Sequence, residues 1–195
     1  MHPYSVNKDI RRSAVLGIFI VSLGLSYLIH VLVIVKIKPL EDFAIIADVS
    51  SLSIYAFLLF LFDRVIWRWF VNCKLINIPI VSGTWKGTYT SSKNDFTPVT
   101  DVDVVIKQNF FNLCVYFNND SVSNSHSEMA CFLDGQSANP VLMYEYMNEP
   151  PDKNLQIHRG TCRLIYKEQE NTLIGEYYND SHNGHWGRIN LSKVN

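Results

Sequence analysis

Two long apolar stretches near the start of the chain constrain its fold more than any other feature. The first runs from about Ala14 to Ile37 and the second from about Phe43 to Phe62. As a helix, each is long enough to cross the roughly 30 Å hydrocarbon core of a bilayer. The first is too long for the apolar core of a cleaved signal peptide, and no small-x-small cleavage site precedes Pro39. We therefore predict a hairpin of two retained transmembrane helices, at about residues 14–37 and 43–62.

Basic residues flank this hairpin unevenly. Lys and Arg near a span favour the cytoplasmic side of the membrane. The basic residues that precede the first stretch or follow the second are Lys8, Arg11, Arg12, Arg64, Arg68 and Lys74. The connecting loop has only Lys36 and Lys38. We therefore predict a multi-pass protein with both termini in the cytoplasm and a short loop around Pro39 outside.

Asp48 is the one charged residue within the second stretch. An ionisable group inside a bilayer is costly and is by default a functional hypothesis. Asp48 either pairs with His30, stays protonated, or faces a polar seam formed when hairpins assemble. The alternative is a position near the interface from which the carboxylate reaches water. We predict a role for Asp48 in the membrane or in oligomerisation.

The charge divides unevenly along the chain of 195 residues. Residues 1–80 contain eight Lys or Arg against five Asp or Glu, and residues 81–195 contain nine against thirteen. We assign residues 1–80 to a segment with the two helices and a juxtamembrane connector, and residues 81–195 to one cytoplasmic domain. An acidic domain of this size is a poor binder of long nucleic acid, because that binding requires many neutralised phosphates.

The sequence contains none of the common catalytic or metal-binding motifs. The four cysteines lack C-x-x-C spacing, so we predict reduced, small apolar side chains and neither a metal site nor a cofactor. No Gly-x-Ser-x-Gly elbow, phosphate-binding Gly-rich loop or His-Glu-x-x-His helix occurs, although several His, Ser and Asp residues are present. We therefore predict that the protein is not an enzyme.

From residue 82 onward the pattern is typical of β-strands. Runs of β-branched and aromatic residues alternate with polar, Gly or Pro clusters. The eight runs lie near 82–90, 100–108, 111–118, 126–134, 140–147, 156–168, 171–179 and 185–193. We predict a minimal, lipocalin-like, eight-stranded antiparallel up-and-down β-barrel, since closure removes the sheet edges and leaves an interior for side chains or one small ligand.

Alternation along these runs indicates which side chains point inward. Val102, Val104 and Ile106 share one face, and Trp85 and Tyr89 share one face of the first run. The interior is therefore predicted to be lined with aromatic rings. We expect Trp85, deep in its strand, to pack in the core.

Connection lengths favour one end of the barrel as its mouth. If neighbouring strands are antiparallel, one end has short connections near 109–110, 135–139 and 169–170. The other end has longer polar connections near 91–99, 119–125, 148–155 and 180–184. Long loops on a rigid scaffold usually carry recognition, so we place the mouth at the second end, away from the bilayer.

The chain resembles a family of bacterial effectors over nearly its whole length. The resemblance rests on a membrane hairpin joined directly to a small barrel. It also rests on the opening motif Gly83-Thr84-Trp85-Lys86-Gly87-Thr88-Tyr89 and the closing runs Gly175-Glu176-Tyr177-Tyr178-Asn179-Asp180 and Gly187-Arg188-Ile189-Asn190-Leu191. It is similar to the two-transmembrane, β-barrel effectors of cyclic-oligonucleotide-based antiphage signalling (CBASS).

The resemblance implies a function. On this resemblance, a partner cyclase (CD-NTase) is expected to make a cyclic dinucleotide that the barrel binds. The bound protein is then expected to form a homo-oligomer that disrupts the lipid bilayer of the bacterial inner membrane and causes cell death by abortive infection.

A cyclic dinucleotide presents two base faces and two phosphodiesters, so its site needs stacking rings and a few donors. Candidates near the predicted mouth are the rings of Tyr89, Tyr144, Tyr146, Tyr177 and Trp186, with His158, Arg159 and Arg188 as donors. The alternative for each ring is core packing. For Arg159 the alternative is a solvated strand residue, because the alternation places it on the outward face.

Two other functions remain open from the sequence. One is a membrane-tethered, lipocalin-like carrier of an apolar small molecule. The other is a scaffold whose barrel binds a protein partner. The carrier predicts that lipid purifies with the protein, and the scaffold predicts that substitutions in the pocket have no effect.

Overall fold

The computed structural model describes residues 1–6, 8–36, 43–119, 123–133, 139–149, 157–180 and 184–194. These residues form two compact units. One unit joins Met1–Val6 to Ile78–Asn195, and the other is Asn7–Asn77. The first six residues, predicted to belong to the membrane segment, therefore group with the β-rich part of the chain.

The helical unit consists of α1 (Lys8–Lys36), α2 (Phe43–Leu61), a π-helix (Phe62–Ile66) and α3 (Trp67–Asn72). α1 and α2 contact each other. The rings of Phe19 and Tyr55 meet edge to face, with centroids 5.9 Å apart.

Within α1, the stretch Asp9–Leu32 is long and apolar enough to cross a membrane, judged by length and composition. Its large apolar side chains are mostly exposed, with Ile20 at 67% and Tyr27 at 71%, whereas a core helix of a soluble protein would bury them. Among the residues that the structure describes, this is the only helix that meets both criteria.

The second span stays a prediction. α2 has 19 residues, but the side chains of residues 43–50, Asp48 among them, lie outside the described part of the chain. The predicted loop around Pro39 lies outside the described residues as well.

The β-rich unit is a closed barrel. Its strands are β1 (His2–Ser5), β2 (Gly83–Ser91), β3 (Thr100–Gln108), β4 (Asn112–Asn119), β5 (Ser123–Leu133), β6 (Val141–Asn148), β7 (His158–Lys167), β8 (Thr172–Asn179) and β9 (Trp186–Lys193). From β2 to β9, consecutive strands pair antiparallel, and β9 closes on β2. The predicted closed barrel is confirmed, and each of the eight predicted runs forms a strand.

The predicted count of eight strands is wrong, because the described part of the barrel has nine. The additional strand, β1, lies between β4 and β5. β4 and β5 pair directly with each other only near their connection, from the pair Tyr116–His126 onward. β1 runs antiparallel to β4, with His2 opposite Leu113, and parallel to β5, with Tyr4 opposite Ala130. It fills the gap where these two strands diverge.

The predicted alternation describes the barrel wall well. Val102, Val104 and Ile106 are buried, whereas the residues between them are exposed. Trp85 is fully buried, as expected for a core residue. Its indole N–H donates to the carbonyl of Val81 at 2.9 Å.

The two ends of the barrel differ less in connection length than predicted. The entry end, where β2 begins, has the connections 109–111, 134–140 and 168–171, and the opposite end has 92–99, 120–122, 149–157 and 180–185. The β4–β5 connection is short because both strands extend further than their alternation indicated, and the β5–β6 connection at the entry end is longer than predicted. Connection length alone therefore does not identify the mouth.

Candidate functional site

Four tyrosines line the inner face of the barrel towards the opposite end. Tyr89 lies on β2, Tyr144 and Tyr146 on β6, and Tyr177 on β8. The register places Tyr144 and Tyr177 opposite Cys162, on either side of β7. The ring centroids of Tyr89 and Tyr177 are 6.4 Å apart, as are those of Tyr144 and Tyr146. We call these four rings the tyrosine cluster. The ring of Phe117 on β4 also meets Tyr89 edge to face, with centroids 5.4 Å apart.

Two glycines make room for two of these rings. A Cβ atom at Gly160 would collide with the Tyr146 phenol, and one at Gly187 would collide with the Tyr177 ring. Both glycines also face a neighbouring backbone carbonyl too closely for a side chain. The rings of Tyr146 and Tyr177 therefore lie against the barrel wall, where a glycine brings the backbone close.

Burial controls the protonation of this region. Loss of solvent raises the pKa of Tyr144 and of Tyr146 well above the usual tyrosine range and raises the pKa of the Cys162 thiol to about 12. Burial also raises the pKa of Tyr177. At neutral pH these groups are uncharged, so the tyrosines keep O–H groups that donate hydrogen bonds. In the structure the Tyr177 hydroxyl donates to the Thr90 carbonyl at 3.3 Å.

A polar pair lies beside the tyrosine cluster. Asn148 at the end of β6 is buried, and its Nδ2 lies 3.4 Å from Nε2 of His158, the residue opposite it on β7. Asn148 was missed because the predicted strand ended at residue 147. The alternation of Tyr144 and Tyr146, extended by one step, would have identified it.

The inner face around the tyrosine cluster offers neutral donors rather than cations. Among the inward-facing residues that the structure describes on β2 to β9, the one Lys or Arg is Lys193, which ends β9 opposite Trp85 at the entry end, with its Nζ 5.6 Å from the Trp85 ring centroid. A phosphate inside this part of the barrel would therefore meet hydroxyl and amide groups.

The eight predicted site residues divide between the two faces of the wall. Tyr89, Tyr144, Tyr146, His158 and Tyr177 face inward. Arg159, Trp186 and Arg188 lie on outward positions of their strands. Contact of these three residues with a ligand bound inside the barrel stays a prediction. Their outward positions do not favour it.

The outward residues have other contacts. Arg159 Nε lies 3.2 Å from the Glu128 carboxylate. The Arg188 guanidinium lies 6.0 Å from the Phe96 ring centroid and 5.8 Å from that of Trp186. Arg188 and Phe96 line an outer groove of about 570 Å³ over β2, β8 and β9.

The residues that the structure describes hold no group of three or more His, Cys, Asp or Glu placed to bind a metal ion. All four cysteines are free thiols. Around the tyrosine cluster, the described interior provides aromatic faces and neutral hydrogen-bond donors.

Comparison with known proteins identifies the barrel. Residues 76–193 match the family model described as "Cap15, cyclic dinucleotide receptor domain". The match covers β2 to β9 and leaves out β1. No curated protein matches the chain significantly.

Proposed function

Since this chain belongs to the Cap15 cyclic dinucleotide receptor family, a family of CBASS membrane effectors, we propose that its barrel binds a cyclic dinucleotide against the tyrosine cluster. The family assignment confirms the resemblance inferred from the sequence, and it describes a receptor domain rather than a catalytic one. The observation that carries the proposal is the inward set of four tyrosines, two of them seated on glycines.

The chemistry of the interior fits this ligand. Stacking of a base on an aromatic ring typically contributes about 1–3 kcal/mol, and four rings are enough for two bases. The uncharged tyrosine hydroxyls and the Asn148 amide can donate to phosphodiester oxygens. The bases then supply most of the binding free energy, and the hydroxyl donors orient the phosphates.

The output of binding is proposed from the family and the helical unit. The helix Asp9–Leu32 supports attachment to the inner membrane, and α2 is proposed as the second span, with both termini in the cytoplasm. We propose that a partner cyclase (CD-NTase) supplies the ligand and that bound protein forms a homo-oligomer. The assembled hairpins, with Asp48 among them, then disrupt the membrane and cause abortive-infection cell death.

The test is calorimetric titration of the full-length protein in lipid nanodiscs with 3′,3′-cyclic dinucleotides covering every pair of the four bases. Full-length protein is required because β1 completes the barrel. Tyr177→Ala is expected to weaken binding at least tenfold, because it removes one stacking ring. Tyr178→Ala is the matched control, since Tyr178 is the adjacent residue and is 51% exposed.

Two outcomes would contradict the proposal. The first is no heat and no thermal shift with any cyclic dinucleotide. The second is equal weakening by both substitutions. An apolar carrier would instead release lipid on organic extraction and would be insensitive to the nucleotide panel.

A further inference from the structure

The side chain of Gln108 joins two parts of the chain that are far apart in sequence. Gln108 is the last residue of β3 and is only 5% exposed. Its Oε1 accepts a hydrogen bond from the Val81 N–H at 2.9 Å, and its Nε2 donates to the Pro79 carbonyl at 2.9 Å and to the Tyr4 hydroxyl at 3.4 Å. A buried amide makes such bonds because a buried polar group without a hydrogen-bond partner destabilises the fold.

These partners occupy special places along the chain. Tyr4 lies on β1, just before α1 begins at Lys8. Residues 79–81 lie in the connection between α3 and β2. One buried side chain therefore binds both the stretch that leads into the helical segment and the stretch that leads out of it.

We propose that Gln108 is a clasp that makes β1 and residues 79–81 behave as one unit, so that a change in the barrel reaches both ends of the helical segment together. This inference rests on the proposed function for its biological meaning. The hydrogen bonds that carry it lie entirely within the barrel unit.

Both stretches are anchored firmly enough to transmit such a change. Tyr4 is 1% exposed, its hydroxyl donates to the Asn109 carbonyl at 3.3 Å, and its ring meets Phe132 edge to face at 5.8 Å. His2 Nε2 lies 2.7 Å from the hydroxyl oxygen of the buried Ser127.

The connector 79–81 is anchored in turn to the strand that carries Tyr89. Val81 is fully buried, and its carbonyl accepts from the Trp85 indole. Trp85 and Tyr89 lie on the same face of β2, and Trp85 is opposite Val104 on β3, the strand that ends at Gln108. A ligand that moves β2 at the tyrosine cluster therefore acts on both the connector and the clasp.

Hydrogen–deuterium exchange on the full-length protein in lipid nanodiscs, without nucleotide, tests the clasp. Gln108→Leu keeps a side chain of similar size but replaces the amide with an apolar group that makes none of the three bonds. Amide exchange at Val81 and in β1 is expected to become at least fivefold faster in both places. Gln169→Leu is the control, because Gln169 is exposed on the β7–β8 connection.

A second variant guards against general destabilisation. Tyr4→Phe removes one hydroxyl from β1 and nothing from the connector, yet exchange at Val81 is expected to rise about twofold or more. Exchange in β8, which makes none of these bonds, should stay unchanged. If Gln108→Leu and Tyr4→Phe both speed exchange in β1 but not at Val81, the proposed clasp is wrong.

Dye release from phosphatidylethanolamine–phosphatidylglycerol vesicles tests the coupling to the membrane. With a saturating cyclic dinucleotide, Gln108→Leu is expected to bind within threefold of the wild-type affinity and to release dye at least fivefold more slowly. Wild-type release by this variant would overturn the coupling. If the wild-type protein binds no cyclic dinucleotide, the proposed function fails, whereas the exchange experiment still decides whether the clasp exists.

Discussion

At the scale of single residues, burial decides what the barrel interior can offer a ligand. The Cys162 thiol is fully buried beside the Tyr144 hydroxyl, and desolvation raises its pKa from 9.0 to about 12. The neighbouring tyrosines have raised pKa values for the same reason. The interior therefore keeps its protons across the physiological range, and neither these hydroxyls nor the thiol makes binding depend on pH there.

The raised pKa of Cys162 predicts a specific alkaline loss of stability. A group whose pKa is higher in the folded state stabilises fully below its unfolded pKa and loses this contribution as pH rises. The difference between the free energies of unfolding of the wild-type protein and of Cys162→Ala should be constant from pH 6 to about 9. It should then fall by about 1.4 kcal/mol per pH unit. Denaturation followed by Trp fluorescence between pH 6 and 11 measures this difference, and a constant difference above pH 9 would contradict the prediction.

The inward face of some candidate site residues was predictable from the sequence, and that of others was not. Tyr89, Tyr146 and Tyr177 follow from alternation, because period two fixes the inward face of a strand. Asn148 obeys the same rule one residue beyond the predicted strand. Arg188 is predicted as a donor from its charge, and the parity of Ile189 and Leu191 places it on the outward face of β9.

At the scale of elements, β1 is the strand that the sequence pattern does not predict. Its four residues include Pro3 and are too short to display alternation. Its partners, β4 and β5, lie more than a hundred residues away. A short strand of this kind is defined by the gap it fills, so it becomes visible only when the whole sheet is closed. The eight longer strands carry their own periodicity and were found.

The register of β1 predicts a disulfide. Ser5 lies opposite the native Cys131, and neighbouring strands hold facing residues within the range that a disulfide spans. Under mild oxidation, Ser5→Cys is expected to form a link to Cys131 within one chain, seen as faster migration on non-reducing gels and as a linked peptide in mass spectra. Ser5→Cys with Cys131→Ser is the control. A link formed mainly between chains would contradict this register.

At the scale of the whole molecule, the chain leaves the barrel after β1 and returns to it before β2, so the helical segment is an insertion in the barrel unit. This connectivity changes how the proposed ligand binding and the proposed membrane disruption are separated experimentally. Deleting residues 1–76 removes β1 and opens the wall between β4 and β5, and any loss of ligand affinity would then be ambiguous. Replacing residues 8–76 with a long flexible Gly/Ser linker keeps all nine strands.

This replacement is expected to keep cyclic dinucleotide affinity within about threefold of wild type, because the tyrosine cluster lies wholly in the barrel unit. It is expected to abolish dye release from vesicles, because it lacks the helices. The deletion of residues 1–76 should unfold at a lower temperature than the replacement, since it lacks the buried Tyr4. Titration calorimetry, dye release and thermal melting measure the three effects. Full dye release by the replacement would exclude the helices as the agent of membrane damage, and equal melting temperatures would show that β1 contributes little to barrel stability.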